Sequence, residues 1–304
     1  MQDKFSPVLI IVAGPTAVGK SEVAVQLAAE FSTGVINSDS RQVYREMVIG
    51  TAMPGDDLRS KVPHFLFGHR SIHDEYNASL FEYESVSFLE DWFQKHHCMI
   101  MTGGSGLYVD AVYNGIDDLP SVDPEIRSKL QEEYRNKGHD FILDRLRIID
   151  PVYFETVDRQ NARRILKALE IYEMTGRSYS SFLKKEPKKR MFRIKMIGLD
   201  RPRVELHNRI NQRTDEMIAS GLVDEAMSLM NYRHLNALNT VGYKELFGYF
   251  DGKYSLSDAV DMIKAHTRQY ARRQLTWFRR YPDIQWFHPD NLELILNFCQ
   301  QTTD

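Results

Sequence analysis

The apolar and polar positions of the first hundred residues change period several times, and each change marks an element. Val8 to Ala13, VLIIVA, is apolar throughout and rich in β-branched residues, as expected of a parallel strand covered on both faces. After a glycine-rich turn, SEVAVQLAAEF places Val23, Leu27 and Phe31 at helical spacing. GVINSDS (Gly34 to Ser40) reads as a second short strand ending in polar residues, and CMIMTGG (Cys98 to Gly104) as a third ending in glycines. FRIKMIGLD (Phe192 to Asp200) and IQWF (Ile284 to Phe287) suit later strands of the same sheet. Strands alternating with helices predict an α/β fold with a parallel-sheet core that binds its ligands at the strands' carboxyl ends.

The alternation stops between about Gly115 and Lys189. Asp123 can cap a helix that has Pro124 at its first position, and NARRILKALEIYEMTG is helical up to Gly176. Because strands resume at Phe192, residues 116–189 are expected to form an all-helical insertion into a core built from 1–115 and 190–304, with SFLKKEPKKR as the hinge back. RINQRTDEMIASGLVDEA (Arg209 to Ala226) is helical, and Arg209 and Arg213 fall four residues apart on one face.

Composition narrows the class. Hydrophobic residues at 42% and charged residues at 27% are the usage of an ordinary globular chain rather than a disordered one. The apolar run Val8 to Ala13 is too short to span a bilayer, so no membrane role is expected. Cys98 and Cys299 are the only cysteines, which suits a reducing cytoplasm and leaves no disulfide framework. The histidines show no ligand spacing, so no histidine-bound metal is expected. A net charge of −3 hides two basic stretches. Met262 to Pro282 carries six Lys/Arg and no acid, and Arg159 to Arg190 carries ten against three.

The strongest chemical signal is GPTAVGKS: Gly14, Pro15, Thr16, Ala17, Val18, Gly19, Lys20 and Ser21. In this P-loop pattern consecutive backbone N–H groups face phosphate oxygens and the next helix adds its positive dipole end. Lys20 adds a charge, and Ser21 is a ligand for Mg²⁺. A nucleotide hydrolase would also hold that ion through a carboxylate at a strand end, whereas CMIMTGG ends in Thr102-Gly103-Gly104. Those glycines serve either a second substrate or a tight turn. Asp39 sits at the end of the second strand, as a general base, a metal ligand, or the Asp of an Asx-turn or helix N-cap. Arg209 and Arg213 either clamp a pyrophosphate or lie in solvent. Arg268, Arg272 and Arg279 fall on one stripe, and with Arg163, Arg164 and Lys167 they offer either surfaces for RNA or phosphate or simply solvated faces. Tyr270, Trp277, Phe278 and Tyr281 between them are expected mainly in the core.

Taken in order, GPTAVGKS, NSDSRQVYR with IGTAMP, GGSGLY, NARRILKALE, and NTVGYKEL with HTRQYARRQLTWFR resemble the tRNA dimethylallyltransferase (isopentenyltransferase) family, from the first strand to about Trp286. The resemblance implies that the P-loop grips dimethylallyl diphosphate. It further implies that the dimethylallyl group passes to the exocyclic amine of the adenosine just 3′ of the anticodon in tRNAs reading U-starting codons. By the same resemblance Asp39 is the general base, and Lys20, Ser21 with Mg²⁺, Thr16 and Arg213 stabilise the departing pyrophosphate. It assigns tRNA contacts to Asp39, Ser40, Arg41 and Gln42, to Ser105 and Arg127, and to Arg163, Arg164, Ile165, Leu166 and Lys167. The target base is expected to flip out of its stack, the insertion to close over the anticodon stem-loop, and the protein to act as a monomer. Met53 stands where the family commonly has lysine, Ser105 where threonine is usual, Glu46 where glycine is frequent, and Lys167 where arginine is common. The chain shows no cysteine/histidine zinc finger and looks bacterial in type. Two rival readings share the P-loop: a small-molecule kinase, which leaves the basic stretches unexplained, and a nucleic-acid-binding module with a vestigial phosphate loop.

Overall fold

The structure, a computed structural model, describes residues 6–117, 119–120, 123–183 and 186–301. It divides into two compact units, residues 1–113 with 189–304, and residues 114–188. Lys184 and Lys185 of the expected hinge, and Asp118, Ser121 and Val122 at the start of the expected insertion, lie outside the described residues.

The first unit runs β1 (Val8–Ala13), α1 (Lys20–Glu30), β2 (Val35–Asn37), α2 (Asp56–Arg59), β3 (His64–Phe65), α3 (Ala78–Trp92), β4 (Cys98–Thr102) and α4 (Gly106–Tyr113). The second unit supplies α5 (Pro124–Lys137), α6 (His139–Ile149), α7 (Pro151–Thr156) and α8 (Ala162–Thr175). The first unit then resumes with β5 (Arg193–Leu199), α9 (Arg203–Ala219), α10 (Leu222–Ser228), α11 (Tyr243–Phe250), α12 (Leu256–Phe278), β6 (Gln285–Phe287) and α13 (Leu292–Gln300).

The strands form one sheet in the order β3-β2-β4-β1-β5-β6, and every pairing between them is parallel. The all-apolar strand β1 lies between β4 and β5, and each of its six residues is buried. Val23, Leu27 and Ala28 of α1 pack with Val8, Ile10 and Val12 in one apolar cluster, so the helix that follows the P-loop is fixed against the strand that precedes it. β3, only two residues long, has no apolar run to announce it; it is defined by pairing to β2. The helix expected over Arg209 to Ala226 is two helices. Ser220 closes α9 and Gly221, at φ 98°, turns the chain into α10, because only glycine takes that conformation without strain.

In the second unit Leu130, Ile142, Leu146, Phe154, Ile165 and Leu169 form a separate core. Asp123 caps α5 by accepting from Glu125 N–H at 2.8 Å, and Gly176 at φ 69° ends α8, as the capping pattern implied. The buried Asp150 carboxylate caps α7 through Tyr153 N–H at 3.0 Å and also accepts from the Ser180 N–H and hydroxyl, each at 2.7 Å.

Candidate active site

The loop between β1 and α1 takes a shape that its sequence permits at few positions. Gly14 (φ 150°), Ala17 (φ 63°) and Gly19 (φ 111°) all have positive φ, and a Cβ on Gly14 would stand 2.7 Å from the Leu199 carbonyl oxygen. Three long side chains hold this loop from outside. Arg209 Nε donates to the Ala17 carbonyl at 2.8 Å, Arg201 Nε to the Val18 carbonyl at 2.9 Å, and the Gln274 carboxamide oxygen accepts from Thr16 N–H at 2.8 Å. Arg201 is itself tied to Glu205 and, at 2.7 Å, to Asp290. Glu205, His288 and Asp290 bring three metal-capable side chains within 4.8 Å of one another, but the Arg201 guanidinium bonds both carboxylates and supplies the positive charge there.

Lys20 folds back over the loop, its ammonium donating to the Pro15 carbonyl at 2.7 Å. Burial lowers its pKa to about 8; the nearby Arg213 guanidinium adds to the effect and the Asp39 carboxylate opposes it. Burial likewise lowers Arg213, with Asp39 again opposing. Arg213 lies 3.4 Å from the Thr16 hydroxyl. Two cations are therefore concentrated beside the P-loop, which makes the site a receptor for an anion.

Asp39 follows β2. Its N–H donates to the Asn37 side chain at 2.7 Å, and its Oδ1 accepts from Arg41 N–H at 2.8 Å. The Asx-turn is thus present and uses one oxygen. Oδ2 lies 3.5 Å from where a Cβ on Gly104 would stand. Gly103 is tighter still, since a Cβ there would collide with the Ser38 backbone. The glycines after β4 therefore let the two strand ends approach closely. Ser105 does not line the cavity. It is 8% exposed, and its hydroxyl accepts from Ser40 N–H at 2.8 Å and donates to the Ser40 hydroxyl at 3.0 Å. Ser105 thereby supports the turn that carries Asp39.

Three residues of the site carry no signal of that role in the sequence. Glu225, at the start of α10, accepts from the N–H groups of Val48, Ile49 and Gly50 at 3.0, 2.8 and 2.9 Å, and from the Tyr243 hydroxyl at 2.6 Å. Gln274 joins the P-loop to the β4 end, its amide also donating to the Gly104 carbonyl at 2.7 Å. Tyr270, among aromatics expected mainly in the core, lines the site instead, while Phe278 and Tyr281 are buried. Burial and the Asp39 carboxylate push the Tyr270 phenol up to about 12.

These residues surround two cavities. One, of about 540 Å³, is lined by Lys20, Ser21, Arg213 and Gly104, with an apolar wall from residues 48–58. The other, of about 610 Å³, is lined by Ser40, Arg41, Lys244, His266 and Arg273. Thr16, Asp39, Thr51, Arg213 and Tyr270 line both, so the two spaces adjoin at Asp39. Gln42 lines only the first, and its amide donates to the carbonyls of Thr51 and Ala52. Arg268, Arg272 and Arg279 share a third groove with Arg203 and His207.

In the second unit, Arg163 and Arg164 are exposed on α8, and Arg127 pairs with Glu170 at 3.6 Å. Lys167 lies 4.0 Å from the same carboxylate. Within the run expected to contact RNA, the Ile165 and Leu166 side chains are 0% and 9% exposed and pack into the unit's core, so Arg163, Arg164 and Lys167 are the side chains of that run that reach the surface.

No helix among the described residues is long and apolar enough to cross a membrane. The model of the IPP transferase family matches residues 42–281. A tRNA dimethylallyltransferase 1 of Bacteroides thetaiotaomicron is 47% identical over 294 residues, covering 97% of this chain and 96% of the relative. A tRNA dimethylallyltransferase 2 of Parabacteroides distasonis is 49% identical over 96% of this chain and 98% of its own. Among solved structures, a full-length tRNA isopentenylpyrophosphate transferase of Bacillus halodurans matches with a TM-score of 0.72 at 33% identity, covering 98% and 97% of the two chains. A eukaryotic dimethylallyltransferase acting on tRNA matches with a TM-score of 0.80 at 29% identity, over 95% of this chain and 75% of its own. By sequence along nearly its whole length and by fold, the chain belongs to the IPP transferase family.

Proposed function

We propose that the protein transfers a dimethylallyl group from dimethylallyl diphosphate to the exocyclic N6 amine of the adenosine 3′-adjacent to the anticodon, in tRNAs that read U-starting codons. The observation that carries this reading is the meeting of two cavities at one carboxylate, an anion receptor on one side and, on the other, a space lined by Arg41, Lys244 and Arg273 beside apolar side chains. Diphosphate occupies the P-loop side, and the flipped adenine enters from the side of Arg41, Lys244 and Arg273.

At the junction the amine attacks C1 of the allyl group. The N6–C1 bond forms, the C1–O bond breaks, and diphosphate leaves with the electron pair. Asp39 Oδ2 takes the N6 proton, which an exocyclic amine must lose as it becomes bonded to carbon. Oδ1 stays on Arg41 N–H and keeps the carboxylate oriented. The loop N–H groups, the Lys20 ammonium, the Thr16 hydroxyl and the Arg213 guanidinium stabilise the charge that grows on the leaving diphosphate. The donor set fits Mg²⁺: the Ser21 hydroxyl lines the cavity at the P-loop, and this ion takes few protein oxygens beside phosphate and water. Ser21 would hold it, and when bound it would neutralise charge on the diphosphate.

The exposed Arg163 and Arg164, with Arg127 and Lys167, contact the tRNA backbone. The kinase reading is not favoured: the family match and the named relatives are prenyl transferases acting on tRNA, and β4 ends without a carboxylate. Asp39→Ala tests the assignment. Prenylated adenosine should fall below detection while tRNA is still bound, and unchanged turnover would remove the base from the scheme.

A further inference from the structure

The cavity that holds the P-loop has two unlike ends. Toward α9 it is lined by Gln212 and Glu216, and toward the 48–58 segment by Val48, Ile49, Met53, Pro54 and Leu58. Met217 is the one apolar side chain that α9 adds, so a branched five-carbon tail meets most of its apolar surface at the second end and leaves water there. Behind that wall lies another space, of about 380 Å³, lined by Phe67, Gly68, Arg45 and Arg59. Val48, Met53, Pro54 and Gly55 line both spaces, so they are the partition between them.

The partition is held by its backbone. Glu225 takes three consecutive N–H groups of residues 48–50, the Gln42 amide donates to the carbonyls of Thr51 and Ala52, and the Thr51 hydroxyl donates to the Met47 carbonyl at 2.5 Å. What fills the gap is side chain. Met53 lies over Gly68, its sulfur 3.5 Å and its terminal methyl 3.6 Å from where a Cβ on that glycine would stand. A flexible thioether closing a wall whose main chain is fixed acts as a plug rather than a hinge.

The geometry points to Met53, with Val48, as the stop that limits the length of the prenyl donor: the wall admits a five-carbon group, and removing the Met53 side chain opens a path for a ten-carbon group into the space beside Phe67. The inference rests on the reading of the donor as an allylic diphosphate. The chemistry at C1 is the same for both donors, since C1–O breaks, N6–C1 forms, Asp39 takes the proton and diphosphate leaves; only the tail differs.

The test is kcat/KM with dimethylallyl and with geranyl diphosphate, on one tRNA, for the wild type, Met53→Ala and Val48→Ala. Val48 is 47% exposed, so its truncation leaves the core intact and decides the matter if Met53→Ala fails to fold. The wild type should strongly prefer the shorter donor. In each variant the geranyl-to-dimethylallyl ratio should rise by about tenfold or more, the scale on which apolar pockets discriminate by size. A wild type that uses both donors equally, or ratios unchanged in both variants, overturns the stop. A wild type that prenylates tRNA with neither donor instead overturns the reading of the function.

Discussion

Single groups at the site are set against their ordinary behaviour, and that makes them testable. Lys20 has its pKa lowered by burial from 10.5 to about 8. Between those values the unfolded chain holds a proton that the folded chain has lost, so this group's contribution to stability rises with pH across that window. Diphosphate binding, to which the proposed function assigns the Lys20 ammonium, runs the other way. In the absence of tRNA its affinity should fall by up to about tenfold per pH unit above about 8, with proton uptake on binding. Calorimetry in two buffers of different ionisation enthalpy measures both, and pH-independent affinity from 7 to 10 would refute the role of Lys20. Asp39→Asn keeps the Asx-turn acceptor and removes the proposed base, so kcat should drop by about 10²–10⁴. Gly103→Ala places a methyl against the Ser38 backbone and should cost about 1–3 kcal/mol in urea unfolding, with loss of activity from the displaced Asp39 turn. The P-loop and Asp39 are legible in the sequence because their chemistry is local: one loop, one helix start, one strand end. Whether Asp39 forms an Asx-turn or presents a carboxylate is not decided by its neighbours in sequence, and the structure has it doing both with different oxygens.

At the level of elements, what the sequence conceals is the long-range support. Gln274 on α12 bonds Thr16, 258 positions away, and Gly104, 170 positions away. A glutamine amid RRQLTWFR carries no mark of that task, since its partners are backbone groups brought near only by the fold. Glu225 is similar: one carboxylate in GLVDEA fixes a loop 175 to 177 positions earlier. Strands β1, β4 and β5 are readable from apolar runs, whereas β3 exists only as a pairing and the α9–α10 break only as a glycine conformation. Gln274→Leu leaves the half-buried Thr16 N–H and the buried Gly104 carbonyl without this partner, and should lose on the order of 2 kcal/mol and raise the KM for the diphosphate more than it lowers tRNA affinity. Equal effects on both substrates would mean that Gln274 supports the unit as a whole rather than the P-loop.

For the molecule as a whole, a net charge of −3 is compatible with RNA binding because the cations are gathered on particular faces. The loss of alternation places the helical unit at 116–189, and the compact unit observed is 114–188. The face proposed for RNA is only half legible, because a run of five residues on a helix necessarily sends some side chains inward, here Ile165 and Leu166. Arg163→Ala with Arg164→Ala should weaken tRNA binding and reduce the slope of log K against log salt by about 0.7 for each phosphate no longer neutralised, with dimethylallyl diphosphate affinity unchanged. An unaltered slope would move the tRNA surface off α8.

The most direct test of the account is to incubate the protein with Mg²⁺, dimethylallyl diphosphate and an unmodified tRNA with adenosines around the anticodon, then digest it and identify the nucleosides by mass spectrometry. Prenylated adenosine at the position 3′ of the anticodon, and at no other adenosine, with none formed by Asp39→Ala, is the predicted result. No prenylated nucleoside, with ATP consumed in the presence of a small acceptor, would contradict it and return the P-loop to a kinase.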